Sequence, residues 1–121
     1  MVAGSSRGHD MSQDFFCLHS DLCKTLASEK RQRILGALRD GELTVSQIVE
    51  ATGMTQANTS QHLSILRTKG VVNARRDGSN ISYSIANPKI IQAFDLITEV
   101  MQETLEAQRG AADAPATDDT A

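Results

Sequence analysis

The chain of 121 residues is poor in aromatic side chains, which make up 3% of it, and tryptophan is absent. Leucine, isoleucine and valine must therefore supply most of the core, and a chain of this length suits one domain with a modest core. Two cysteines, Cys17 and Cys23, are too few for a disulfide framework. This excludes the small disulfide-stapled class, and we expect both thiols to be reduced.

Long apolar runs are missing as well. No segment approaches the roughly 20 apolar residues that a membrane-spanning helix needs, and the Gly- and Ser-rich start of the chain lacks the apolar centre of a secretory signal. We therefore expect a cytoplasmic protein without a membrane partner, in which residues 1–11 form a flexible N-terminus.

Catalytic patterns are missing too. The sequence holds no paired nucleophile and base, no glycine-rich phosphate loop and no ligand spacing of a catalytic metal. We expect that the protein is not an enzyme and that it requires no cofactor.

A net positive charge is missing from the chain as a whole, which carries −3, but its basic residues are concentrated between residues 28 and 90. Residues 28–90 hold nine basic and five acidic side chains, whereas residues 91–121 hold one basic and seven acidic side chains. Affinity for DNA depends on local neutralisation of phosphates. A basic centre is therefore compatible with DNA binding in spite of the acidic total.

The spacing of apolar residues predicts two helices before residue 41. The first carries a stripe at steps of three and four residues, made of Phe15, Leu18, Leu22 and Leu26. Ser28 is typical of an N-cap and predicts the start of the second helix.

The next segment has the pattern of a helix-turn-helix. Thr44 and Gln47 have the spacing of a capping box, and Gly53 suits the left-handed conformation of a tight turn. Thr55 caps a longer helix that stops at Gly70. A short helix, a glycine turn and a longer polar helix together indicate DNA recognition.

After Gly70 the apolar period changes to two. Ile81, Tyr83 and Ile85 alternate with serines, and residues 75–80 lie between two predicted strands with an Asp-Gly turn signal. The pattern predicts a β-hairpin with basic residues near its tip.

A last helix is predicted after Pro88, which suits the first helical position. Its apolar seam consists of Ile90, Phe94, Ile97, Met101 and Leu105. Together with the stripe of the first helix, this seam is a candidate for a surface buried between two copies of the chain.

In this order the residues resemble the ArsR family of prokaryotic repressors. Residues 26–35 are similar to the family's entry into its second helix, and residues 54–66 to its recognition helix. Residues 70–72 and 75–78 are similar to its helix exit and wing.

The resemblance implies a mainly α fold with a β-hairpin wing: four helices, two strands and a fifth helix. It implies a winged helix-turn-helix that forms a homodimer through the first and last helices. We expect residues 12–107 to form this DNA-binding and dimerisation domain, and residues 108–121 to form a disordered acidic tail.

The resemblance also implies a sequence-specific transcriptional repressor that binds a palindromic operator in double-stranded DNA. The amide side chains and the Ser60 hydroxyl of the recognition helix suit base edges, whereas the hydroxyls of Thr55 and Ser64 and the basic side chains suit phosphates. The candidate DNA contacts are Thr55, Gln56, Asn58, Ser60, Gln61, Ser64, Arg67, Lys69, Arg75, Arg76, Ser79 and Asn80. His62 is expected to be structural. The alternative is a winged-helix adaptor that binds a protein partner, against which the basic centre argues.

Members of the family release DNA when a small inducer arrives, and many sense metals. Two common metal sites of the family lack their ligands here: residues 42–47 contain no cysteine, and the last helix has carboxylates but no histidine. The remaining sensing candidates are Cys17, Cys23 and His19.

Three interpretations of these candidates stay open. Cys23 is a small core residue and Cys17 flanks it; or the thiols react with an oxidant or reactive sulfur species; or they bind a thiophilic metal with His19. Cys17 and Cys23 lie on different sides of one helix, so bridging them requires unwinding or a second chain.

Overall fold

The computed structural model of the chain describes residues 14–113. The predicted flexible start and residues 114–121 of the predicted tail lie outside the described residues. The chain divides into two compact units, one that ends at Asn87 and one that begins at Pro88. In chain order, the first unit contains α1 (Phe15–Leu26), α2 (Glu29–Ala37), β1 (Leu43–Thr44), α3 (Val45–Thr52), α4 (Gln56–Thr68), β2 (Val72–Asp77) and β3 (Asn80–Ile85), and the second contains α5 (Lys89–Asp113).

The N-caps predicted from the sequence are confirmed. The Ser28 hydroxyl accepts a hydrogen bond from the backbone N–H of Arg31, at 3.3 Å, where α2 begins. Thr44 and Gln47 form the full capping box of α3, in which each side chain accepts from the backbone N–H of the other. The Thr55 hydroxyl accepts from Asn58 N at 3.1 Å and starts α4. Caps of this kind satisfy the free N–H groups of a helix start.

The turn between α3 and α4 also follows the prediction. Gly53 adopts a φ of 75°, and its N–H donates to Val49 O at 2.8 Å, which ends α3. A side chain at this φ is strained, so glycine is the residue that suits the turn. The turn lets α3 and α4 pack on a shared aliphatic core with α2. The core consists of Ile34, Leu35, Leu38, Ile48, Leu63, Leu66, Val71 and Val72.

The sheet has three strands, where the sequence predicted two. β1 is only two residues long and pairs antiparallel with β3, so that Leu43 lies opposite Tyr83 and the strand order is β1-β3-β2. A two-residue strand has no detectable alternation of its own, and its partner lies far away along the chain. The pairing therefore left no local signal in the sequence.

The hairpin is longer and its turn tighter than predicted. β2 and β3 pair as far as Asp77 and Asn80, which leaves Gly78 and Ser79 as a two-residue turn. Gly78 has a φ of 67°, and no residue other than glycine has a positive φ in the described chain. A positive φ at the first central residue alone is typical of a type II′ turn. The residue that needs the special conformation is Gly78 and not Asp77.

The last helix extends beyond the predicted boundary. α5 continues to Asp113, six residues past the expected end at residue 107. The sequence from Gln108 was interpreted as disordered because it is rich in small residues. Alanine, glutamine and arginine are strong helix formers, and they prolong the helix in spite of Gly110. In the described residues, no helix combines the length and apolarity that crossing a bilayer requires.

Candidate nucleic-acid interface

The buried residues of α4 show which face of the recognition helix is free. Thr59, Leu63 and Leu66 are buried and point to the core. Since successive residues rotate by about 100° around a helix, the opposite face carries one row of exposed residues. This outward row consists of Ala57, Gln61, Ser64 and Thr68.

The predicted base-reading residues divide between this row and its two flanks. Gln61 belongs to the outward row, whereas Gln56 and Ser60 are exposed on the flank that lines a groove with β3. Asn58 is half-buried on the other flank. Ala57 and Thr68 are additional members of the row that the sequence analysis missed. A helical projection would have identified them. Both side chains carry a methyl group, which is suited to contact with the methyl group of thymine.

A polar groove runs between the N-terminal ends of α3 and α4 and the strand β3. Its volume is about 370 Å³. Hydroxyl and amide groups dominate its walls, so it offers neutral donors and acceptors beside the outward row. The lining residues are Thr44, Val45, Ser46, Gln56, Ser60, Ser79, Asn80, Ile81 and Tyr83. Tyr83, Thr44 and Ser46 were not among the predicted site residues.

The four predicted phosphate-binding cations differ in their partners. Lys69 Nζ lies 2.9 Å from Asp21 Oδ2 of α1. Arg75 donates two hydrogen bonds to Glu42, at 3.0 Å from Nε and 2.7 Å from Nη2. Within residues 14–113, Arg67 and Arg76 have no ion-pair partner. Lys69 and Arg75 are thus held by carboxylates, whereas Arg67 and Arg76 are available to bind phosphates.

The Glu42–Arg75 pair is ionised over a wide pH range. The hydrogen bonds and positive charge of Arg75 hold the pKa of the Glu42 carboxyl below its ordinary value. The same contact raises the pKa of the Arg75 guanidinium. Both side chains are partly exposed to solvent, so the pair fixes an orientation more than it adds stability.

His62 has the structural role that was expected, although its bond is not local. Its Nδ1 accepts a hydrogen bond from Arg31 Nε at 3.2 Å, and Arg31 Nη1 also donates to the carbonyl of Thr25 at the end of α1. Burial, and then the charges of Arg31 and Lys30, lower the pKa of His62. The imidazole is therefore neutral at pH 7 and links α4 to α2.

Comparison with known proteins agrees with this geometry. The family model described as "Bacterial regulatory protein, arsR family" matches residues 28–74. The HTH-type transcriptional regulator Rv0081 of Mycobacterium tuberculosis is 37% identical over 95 residues, which cover 78% of this chain and 83% of that protein.

The chain belongs to the arsR family. It is a DNA-binding transcriptional regulator and not an enzyme.

Solved structures of this family share the fold. The crystal structure of M. tuberculosis Rv0081 matches with a TM-score of 0.72 and 36% identity, over 78% of this chain and 95% of that one. The solution structure of the homodimeric winged helix-turn-helix domain of Mb0332 from Mycobacterium bovis matches with a TM-score of 0.72 and 35% identity, over 81% of this chain and 91% of that one. The predicted winged helix-turn-helix is thus confirmed.

The two thiols of this arsR-family chain are both free and exposed. The first interpretation of Cys23, as a core residue, is therefore wrong for the single chain. Thr25 is the buried residue of α1, and Cys23 lies on another side of the helix. Because α1 is continuous from Phe15 to Leu26, Cys17 and Cys23 are about 120° apart around its axis.

His19 lies beside Cys23 and not beside Cys17. The distance from Cys23 Sγ to His19 Nδ1 is 3.6 Å, within reach of a weak thiol hydrogen bond. The ring of His19 also stacks at a tilt on Phe15, with centroids 5.7 Å apart. Between Asp14 and Asp113, no three histidine, cysteine or acidic side chains form a group that could hold a metal ion.

Proposed function

We propose that the protein is a homodimeric, sequence-specific repressor that binds a palindromic operator and leaves it when an inducer reacts with the thiols of α1. The observation that carries this proposal is the groove in which Gln56 and Ser60 of α4 line one wall and Ser79 and Asn80 of the wing another. The wing also carries Arg76, which has no ion-pair partner within residues 14–113. This combination presents base-reading groups and a phosphate-binding group on one surface.

In this mode of binding, α4 enters the major groove with its outward row toward the bases. Gln61 and Gln56 carry amides that pair with adenine in two hydrogen bonds, and Ala57 contacts thymine methyl groups. Arg67 and Arg76 neutralise phosphates on either side. Each lost base contact costs about 1–3 kcal/mol of discrimination.

The homodimer is supported by apolar side chains that one chain leaves uncovered. Leu18 of α1 and Leu96 of α5 are 72% and 61% exposed, and they stand in larger apolar faces of their helices. Faces of this kind mark interaction sites in proteins of this size. The Mb0332 domain of the same fold is homodimeric. Two copies related by a twofold axis would read two half-sites about one helical turn apart.

Repression is supported by two relatives and opposed by one. BigR of Xylella fastidiosa is a transcriptional repressor, and a Streptomyces lividans relative is a probable mercury resistance operon repressor. HlyU of Vibrio cholerae is a transcriptional activator. Transcription in vitro from the operator-containing promoter decides whether the protein represses or activates. Repression requires a fall in transcript as protein is added, and a rise would refute it.

The inducer is proposed to be a thiol-reactive species because both thiols are exposed and neither is in a disulfide. Cys23 is the better candidate of the two, because its Sγ lies 3.6 Å from Nδ1 of His19. An oxidant or a polysulfide should release the wild type from its operator, whereas arsenite or Cd²⁺ should not. Cys23→Ser should resist the effective agent, while release of a Cys17→Ser, Cys23→Ser double variant would refute thiol sensing.

Operator binding itself is tested by fluorescence anisotropy with duplexes from upstream of the gene. We expect affinity for one palindrome to exceed that for a scrambled duplex by at least about 10³-fold at physiological salt. Gln61→Ala should reduce this preference without changing the salt dependence. Equal affinity for all duplexes would refute sequence-specific readout.

A further inference from the structure

The wing leaves the sheet at a defined row of residues. β1 pairs with β3 only at Leu43–Tyr83 and Thr44–Ser82, whereas β2 and β3 continue as a pair to Asp77 and Asn80. The row in which Thr44, Ser82 and Arg75 lie side by side is therefore the last with three strands. Beyond it the wing is a two-stranded ribbon, which is only marginally stable by itself.

Glu42, which directly precedes β1, reaches across to Arg75 of β2 and so connects the two edges of the sheet beside this row. Glu42 lies two residues before Thr44, on the same side of the strand line, and Arg75 belongs to β2, which is separated from β1 by β3. The two hydrogen bonds of 3.0 Å and 2.7 Å connect both carboxylate oxygens to Nε and Nη2 of the guanidinium. Such a planar fork restricts the rotation of the two side chains relative to each other more than a single contact does.

Arg75 and Arg76 point to opposite faces of the ribbon. Side chains alternate along a strand, so Arg76 shares a face with the buried Val72, and Arg75 lies on the other face. Arg76 is paired across the ribbon with Ile81, which lines the groove beside α4. The arginine without a carboxylate partner is thus on the face that looks toward the recognition helix.

We infer that Glu42 is a positioning residue for DNA binding, and that its fork with Arg75 fixes the inclination of the wing so that Arg76 meets the phosphate backbone. Arg75 then acts through the wing and not by contact with DNA. This inference rests on the proposed contact between the wing and DNA. It assigns a role to Glu42, which is acidic and would otherwise only repel the phosphates.

The direction in which Glu42→Gln changes DNA affinity distinguishes this role from direct contact of Arg75 with DNA. If Arg75 contacts DNA and Glu42 merely competes for it, Glu42→Gln frees the arginine and strengthens binding. If the fork positions the wing, Glu42→Gln weakens binding to every duplex, by about three- to tenfold, while the slope of log affinity against log salt stays the same. The slope reports the number of phosphates neutralised and changes by about 0.9 for each.

A set of variants on the full chain tests the inference by anisotropy at several salt concentrations. Arg75→Ala and Glu42→Gln should weaken binding by equal factors, and the double variant should be no weaker than either, because both remove one fork. Exchange of the two residues, Glu42→Arg with Arg75→Glu, should restore most of the affinity. Stronger binding by Glu42→Gln, or further loss in the exchanged variant, would overturn the inference.

Arg76→Ala is the matched control, since it is the neighbouring arginine on the opposite face. It should lower affinity by about tenfold and reduce the salt slope by about 0.9. An Arg76→Ala variant that binds like the wild type would refute the proposed wing contact, and with it the basis of the inference. Amide hydrogen exchange at Asp77 and Asn80, the last residues that pair across the ribbon, should accelerate in Glu42→Gln but not in Arg76→Ala; equal rates in both would overturn the role of the fork.

Discussion

The segment from α2 to β2, called the central segment here, and the two terminal helices, α1 and α5, differ in the exposure of their apolar residues. From α2 to β2, the core side chains are at most 2% exposed. On α1 and α5, by contrast, Leu18 is 72% exposed and Met101 is 56% exposed. The difference teaches that the central segment completes its core within one chain, whereas the terminal helices expose apolar surface of the kind that marks interaction sites.

The strongest test of this contrast is the same substitution in both regions. Leu63→Ala removes a fully buried side chain of α4 and should lower the free energy of unfolding by about 2–5 kcal/mol. Leu18→Ala should change it by less than about 0.5 kcal/mol at concentrations where the chain is monomeric. Urea unfolding followed by circular dichroism measures both. Equal losses would show that α1 is packed as tightly as the central segment.

The second test asks whether the apolar face of the terminal helix α5 lies in the dimer interface. Met101→Glu places a carboxylate on the apolar face of α5 and should raise the dissociation constant of the dimer at least about tenfold, which corresponds to about 1.4 kcal/mol. Glu103→Gln, a charge change on the same helix, serves as the control. Sedimentation equilibrium gives both constants. A dimer unaffected by Met101→Glu would exclude this face from the interface.

The third test returns to the central segment, where local hydrogen bonds add to the stability that the core provides. Thr44→Ala removes half of the capping box of α3, a helix of eight residues that is too short to be stable alone. The loss should be about 1 kcal/mol of unfolding free energy. Thr98→Ala, in the interior of α5, removes no cap and should be neutral or slightly stabilising. A neutral Thr44→Ala would show that packing alone holds α3.

The parts that the sequence could predict are those governed by neighbouring residues. Ser28, Thr44 and Thr55 were identified as caps because a hydroxyl three residues before an N–H is a local pattern. Gly53 was identified because the turn needs a positive φ. The outward row of α4 was accessible in the same way, from the helical period, but Ala57 and Thr68 were missed because the residues were selected by type alone.

The parts that the sequence could not predict depend on contacts between distant residues. Glu42 and Arg75 are 33 positions apart, and Asp21 and Lys69 are 48 apart. Neither pair has a signal in its own segment, because each depends on how the strands and helices pack. Two of the four predicted phosphate-binding cations were for this reason found against carboxylates, and only the fold distinguishes Arg75 from Arg76.

The smallest expected effect concerns a glycine inside α2. A glycine inside a helix can permit a close crossing with a neighbouring helix, but a methyl group added at Gly36 meets nothing within 4 Å. Gly36→Ala should therefore stabilise the chain by about 0.5–1 kcal/mol, because alanine loses less conformational entropy in a helix. Thermal unfolding at low concentration measures this gain. If the variant gains stability but loses operator affinity or dimerisation, then DNA or a second chain occupies the space beside Gly36. The surface of the central segment at this position would then be part of an interface.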